Sequence, residues 1–239
     1  MLCDLETSFH EPLSSELHPI LVPLAGTPVL EYTLEFLERG GVEDIILVTS
    51  TLTEQIRSYL LSSRWGERGY PVRVRVVGMA AVRSVGDALR EIDRQGLVKS
   101  DFVLVRGGVL TNLPLPSVVE EHSRMRDLDK DKLLMTMVNI QNNANTSLSI
   151  KRFGGYLVCV VDGRNIREAR LHVLDEQIAT ETSPYDFAQC LLSEHLEVHP
   201  NRKKLVHLSK EITSSHNNVL FRTDLSDCFI EICTPEVLS

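Results

Sequence analysis

"TPVLEYTLEFLERGGVEDIILVTS", residues 27–50, joins a helical period to an unbroken apolar run, and that junction decides the fold. Thr27 is expected as the N-cap and Pro28 at the first helical position. Leu30, Leu34 and Leu37 then recur at helical spacing until Gly40-Gly41 stops the helix. "EDIILVTS" has no alternation, which is how a strand covered on both faces reads.

The same rhythm continues outward. Thr53 to Leu61 repeats the helical pattern through Ile56 and Leu60. "YPVRVRVV" alternates Val72, Val74 and Val76 with Arg73 and Arg75, predicting a strand near an edge. "SVGDALREIDRQG" predicts a helix ending near Gly96, "SDFVLVRGG" a buried strand, and "LPSVVEEHSRMRD" a helix opened after Pro114. Strands and helices in this alternation predict an α/β fold with a mostly parallel central sheet flanked by helices.

After about residue 130 the pattern changes. "KLLMTMVNI", "GYLVCVVDG", "NIREARLH", "KKLVHLSK" and "DCFIEICT" read as strands with little helix between them, an antiparallel or mixed extension. "NIQNNANTSLS" and the segment from Asp175 to Arg202 read as insertions, the second with a short helix around "YDFAQCLLSEHL". The expectation is one domain over residues 1–239, its wound half at about 1–130 and its strand-rich extension at about 131–239.

Composition narrows the class. A net charge of −8 offers no general attraction to phosphate backbones or anionic membranes, so neither nucleic acid nor membrane is expected as a direct partner. The runs Lys151-Arg152 and Arg202-Lys203-Lys204 read as solvated loop residues. Five cysteines without CxxC spacing point to a reducing compartment, with Cys159 and Cys228 acting as small hydrophobes in strands. Eight histidines form no HExxH pair, and no metal ligands are expected. "MLCDLETSFH" has neither a basic nor an apolar targeting region, so the cytoplasm is the expected location.

Particular residues add a resemblance. "FHEPLSSELHPILVPLAGTPVLEYTLEFLERGGVEDIILVTS" resembles the opening of the sugar-phosphate nucleotidyltransferase superfamily, with its Pro-Leu turn, Leu-x-Pro, Pro-initiated helix, Gly and strand. "LEYTLEFL", "RSVGDALREID", "KSDFVLVRGGVLTN", "MTMV" and "DLSDCFIEICTPEV" are similar, within that superfamily, to the amino-terminal domain of the epsilon-subunit family of eukaryotic translation initiation factor 2B. The fold implied is a Rossmann-like nucleotidyltransferase fold.

The departures from an active transferase imply lost chemistry. Such an enzyme holds the triphosphate with a Gly-rich, Arg-containing loop, but "CDLETSFHEPL" has no glycine. Matching Pro12-Leu13 puts Phe9 at the family's arginine, and matching Leu21-Val22-Pro23 puts Pro19 at its lysine. The family ends the strand of "FVLVRGG" in Gly-Asp, whose carboxylate holds magnesium; here Gly107 keeps the turn and Gly108 takes the carboxylate's place. Asp87, Asp162 and Asp227 are the remaining candidate carboxylates. Asp87 reads as a surface or capping residue on a helix, Asp162 as a turn residue in "VDGR", and Asp227 as the opening of a strand.

The resemblance thus implies a non-catalytic scaffold domain of the guanine nucleotide exchange factor for initiation factor 2. Its partners would be sister subunits, the gamma subunit first, and initiation factor 2 itself. No cofactor is implied. In that family, exchange activity resides mainly in a separate C-terminal helical domain, not among these residues. The alternative is an active sugar-1-phosphate nucleotidyltransferase using magnesium and a nucleoside triphosphate; a third reading is the gamma subunit or a transferase's regulatory subunit.

Overall fold

The computed structural model describes residues 1–3, 16–79, 82, 84–128, 133–141, 157–161, 170–175, 219–222 and 225–238. The chain divides into two compact units, Met1–Met137 with Phe229–Ser239, and Val138–Cys228.

Among the described residues of the first unit are a one-turn 3-10 helix at Pro19–Leu21 and a small hairpin of β1 (Pro23–Leu24) and β2 (Thr27–Pro28). Ala25 and Gly26 both take positive φ, which matches the twist of a two-residue hairpin. The pairing of Leu24 with Thr27 corrects the expected cap. Thr27 is drawn into β2, so α1 (Val29–Arg39) starts later, with Pro28 extended at the cap and no side-chain bond there. Gly40 and Gly41 end it as read, Gly41 at φ 81°.

The elements that follow are β3 (Asp44–Thr49), α2 (Thr53–Ser62), β4 (Arg73–Gly78), α3 (Val85–Arg94), β5 (Phe102–Val105) and α4 (Leu115–Leu128). β3 and β4 pair in parallel. Leu2 bridges in parallel to both Val48 and Arg106, which places Met1–Cys3 between β3 and β5. Backbone bonds fix this segment: the Leu2 and Cys3 amides donate to Val105 and Val48 carbonyls, each at 2.8 Å. β4 alternates as expected, with Arg73 and Arg75 exposed and Val74 and Val76 half-buried.

β6 (Met135–Gln141) and β10 (Leu225–Cys233) extend this sheet in the order β5-β10-β6, and β10 runs antiparallel to β5. α3 covers one face: Ala88 and Ile92 pack with Leu2, Val48, Leu104, Cys233 and Leu238 in a common core. The start of α3 is secured by Ser84, whose Oγ accepts the Asp87 amide at 3.1 Å. The sheet is parallel in the wound half and mixed after it, as the alternation predicted.

In the second unit, β7 (Leu157–Val161) pairs antiparallel with both β8 (Arg170–Asp175) and β9 (Val219–Arg222). Cys159 and Cys228 lie in strands. The strand expected at "KKLVHLSK" and the helix expected at "YDFAQCLLSEHL" lie outside the described residues. Among the described residues, no helix is long and apolar enough to cross a membrane.

Candidate functional site

β5 runs out at Val105 into the turn Arg106-Gly107-Gly108-Val109, where the sequence resemblance sets the position of a former carboxylate. Gly107 takes φ 70°, a backbone conformation that a side chain disfavours, and its amide donates to the Leu2 carbonyl at 2.7 Å. Gly108 differs. A Cβ added there would lie 2.4 Å from Val29 Cγ1 and 3.9 Å from Ile20 Cγ2. Valine on a helix has one strongly preferred rotamer, so Val29 does not swing aside without cost.

Thr33, one turn along α1, fastens the next residue. It is fully buried; the Val109 amide donates to its Oγ1 at 2.9 Å and the hydroxyl donates to the Val109 carbonyl at 3.0 Å. One side chain thus satisfies both backbone groups of Val109. The first turns of α1 therefore occupy the direction a side chain at residue 108 would take and clamp the residue after it.

On the strand side, Arg106 donates to Glu231 Oε1 through Nε at 3.0 Å and Nη2 at 2.7 Å. Its guanidinium lies 4.9 Å from the centre of the Phe229 ring. The pair is deeply buried, with side chains 16% and 4% exposed. Burial, with Glu231 nearby, pushes the Cys233 thiol up to about 12, so it stays protonated at neutral pH.

A further network holds the approach to the turn. His18 is buried, its Nδ1 accepts the Ile20 amide at 3.3 Å, and Nε2 therefore donates to Thr49 Oγ1 at 3.0 Å. The Thr49 hydroxyl in turn donates to the Thr51 carbonyl at 2.7 Å. Gln55 on α2 accepts the His18 amide at 2.9 Å and donates to the Glu16 carbonyl at 2.8 Å. Sequence reasoning missed both His18 and Thr33. The signal for Thr33 was a polar residue on the buried stripe of α1, and for His18 a potential cap directly before Pro19.

Of the positions expected at a former site, Phe9 lies outside the described residues. Pro19 heads the one-turn helix and offers neither an N–H nor a cationic side chain; its neighbour Ile20 reaches toward Gly108. Gly107 and Gly108 form the turn itself. Asp87 sits in the first turn of α3 with its carboxylate 2.6 Å from Arg90 Nη1, the surface role read for it. Asp227 lies within β10, half-buried, two residues after the strand begins rather than at its opening. Asp162 is outside the described residues. Among the described residues no group of three or more His, Cys, Asp and Glu side chains could hold a metal ion.

No protein-family model matches the chain. It is 32% identical over 226 residues to translation initiation factor eIF2B subunit epsilon of Schizosaccharomyces pombe, covering 95% of this chain and 29% of that protein. It is 31% identical to the same subunit of Dictyostelium discoideum, covering 95% of this chain and 28% of that one. Over nearly its whole length the chain is similar to the amino-terminal region of eIF2B subunit epsilon. It thus spans less than a third of the length of these curated relatives. Among solved structures it is similar to apo UDP-glucose pyrophosphorylase, with TM-score 0.54, 12% identity, and coverage of 96% of this chain and 73% of that one. A putative glucose-1-phosphate thymidylyltransferase from Bacillus anthracis gives TM-score 0.58 at 12% identity, covering 96% of this chain and 68% of the other. At such identities the likeness establishes the fold alone, the Rossmann-like nucleotidyltransferase fold.

Proposed function

We propose that the chain is a nucleotidyltransferase-like domain of a translation initiation exchange factor, kept as a scaffold for subunit assembly and without transferase activity. The observation that carries the reading is the packing at residue 108. The position that would supply a metal-binding carboxylate is a glycine, and Val29 stands in the direction such a carboxylate would take. Phosphoryl chemistry on a nucleoside triphosphate needs charge neutralisation at the attacked phosphate. The glycine-free loop and the residues Phe9 and Pro19 support the same conclusion, because each stands where a phosphate-handling group would be needed.

Similarity to the epsilon subunits supports the assignment to translation initiation. A fold retained without its phosphate-handling groups leaves its surface as its means of action, which favours protein partners: sister subunits, gamma foremost, and initiation factor 2. A net charge of −8 makes nucleic acid a poor ligand, and a cytoplasmic location fits that role.

The test is incubation of the purified chain with magnesium, nucleoside triphosphates and a panel of sugar 1-phosphates. Pyrophosphate release at background is the expected result. Metal-dependent turnover would overturn the scaffold reading in favour of an active sugar-1-phosphate nucleotidyltransferase.

A further inference from the structure

The path of β10 through Phe229 carries an inference that is independent of transferase chemistry. The chain passes from one compact unit to the other twice, at Met137–Val138 within β6 and at Cys228–Phe229 within β10. These strands are neighbours in one sheet and form a β6–β10 ribbon. At the second crossing, Phe229 takes φ 58°. For an aromatic residue inside a strand that is a strained conformation, which persists only where its surroundings impose it.

Arg106 is part of those surroundings. Its amide donates to the Phe229 carbonyl at 3.0 Å, and its guanidinium lies 4.9 Å from the Phe229 ring centre. Arg106 is in turn held by Glu231, two residues further along β10, through two hydrogen bonds to one carboxylate oxygen at 3.0 and 2.7 Å. Regular pairing of β10 with β5 begins just after the strained residue, at Ile230 with Val105. One arginine therefore grips the backbone and the ring of the strained residue and the strand beyond it.

We propose that Arg106 is a latch on a hinge at Phe229, holding β10 in a bend that Phe229 by itself would not keep. The latch lies wholly within the first unit and holds β10 where its pairing with β5 begins. An extended Phe229 would carry its carbonyl away from the Arg106 amide, so release of the guanidinium and straightening of the strand are one event. A glycine at 229 would keep the bend without a latch, because it adopts positive φ freely.

The experiment is a mutant cycle on the full chain, read by residue-resolved amide hydrogen exchange. One arm is the double change Arg106→Met with Glu231→Gln, which avoids leaving a buried carboxylate unpaired; the other is Phe229→Gly. The double change should speed exchange at the residue-106 amide and at amides 138–141 and 227–229 by about tenfold, with Leu34 and Leu37 of α1 unchanged. In the Phe229→Gly background the same double change should alter those rates by less than about threefold. Ribbon protection that does not respond, or that falls equally in α1, overturns the latch. So does an effect of the double change that is the same with phenylalanine or glycine at 229, since Arg106 would then not act through that residue.

Discussion

Gly107 and Gly108 are adjacent glycines required for different reasons, one by its φ and the other by what stands beside it. Gly108→Asp would force Val29 from its rotamer or shift the turn, an overpacking that costs about 1–3 kcal/mol. Urea denaturation should show that loss, and Val29→Ala in the same chain should recover at least about half of it. Without recovery, the contact with Val29 would not be what excludes a side chain at residue 108.

At the level of elements, α1 and α4 each bury one polar group on an otherwise apolar face. Thr33→Val keeps the shape but leaves the Val109 amide and carbonyl without their partner, at a cost of about 1–3 kcal/mol. Thr33→Ser should restore most of that stability, since it returns the hydroxyl; thermal or urea unfolding of the pair distinguishes hydrogen bonding from packing. On α4, His122 is buried with Nδ1 2.8 Å from Thr136 Oγ1, and Nε2 has no hydrogen-bond partner among the described residues. Burial lowers its pKa from the ordinary 6.5, with Asp101 opposing and Arg126 adding to the shift. The unfolded chain then takes up a proton at this site more readily than the folded one. The contribution of neutral His122 is full above about pH 6.5 and is lost as pH falls through the lower folded value. Unfolding midpoints measured from pH 7.5 down to 5 should decline less steeply in His122→Asn, which keeps a hydrogen-bonding group toward Thr136; an identical decline would remove His122 as a source.

For the whole molecule, the proposed role separates scaffold from exchange activity. Prying a nucleotide from a GTPase requires stabilising its nucleotide-free state by several kcal/mol, which calls for a large complementary surface that displaces contacts to switch or metal. On the proposed reading, residues 1–239 alone leave GDP release from initiation factor 2 at its spontaneous rate while still capturing the sister gamma subunit. Fluorescent-GDP dissociation, run beside co-purification with gamma, checks both halves. Acceleration by this chain would place exchange activity in the wrong domain of the proposal, and loss of gamma capture would end the scaffold role.

The sequence by itself determined the helices and strands of the wound half, because apolar periods of helix and strand are local. Leu30, Leu34 and Leu37 mark the buried stripe of α1, and the unbroken run from Ile45 to Val48 marks a covered strand, whatever surrounds them. It also located the turn at Gly107-Gly108 and the change to strands after it. Tertiary structure decided the rest. Thr27 follows every local rule for an N-cap and is taken instead by pairing with Leu24. Thr33 meets Val109 across 76 residues, and Arg106 meets Glu231 across 125. Neither spacing leaves a period in the sequence. Whether residue 108 could carry a side chain, and whether Phe229 must bend, depends on which side chains the fold brings within a few ångströms. Close packing sets that condition, and it exists only once the sheet and its helices have come together.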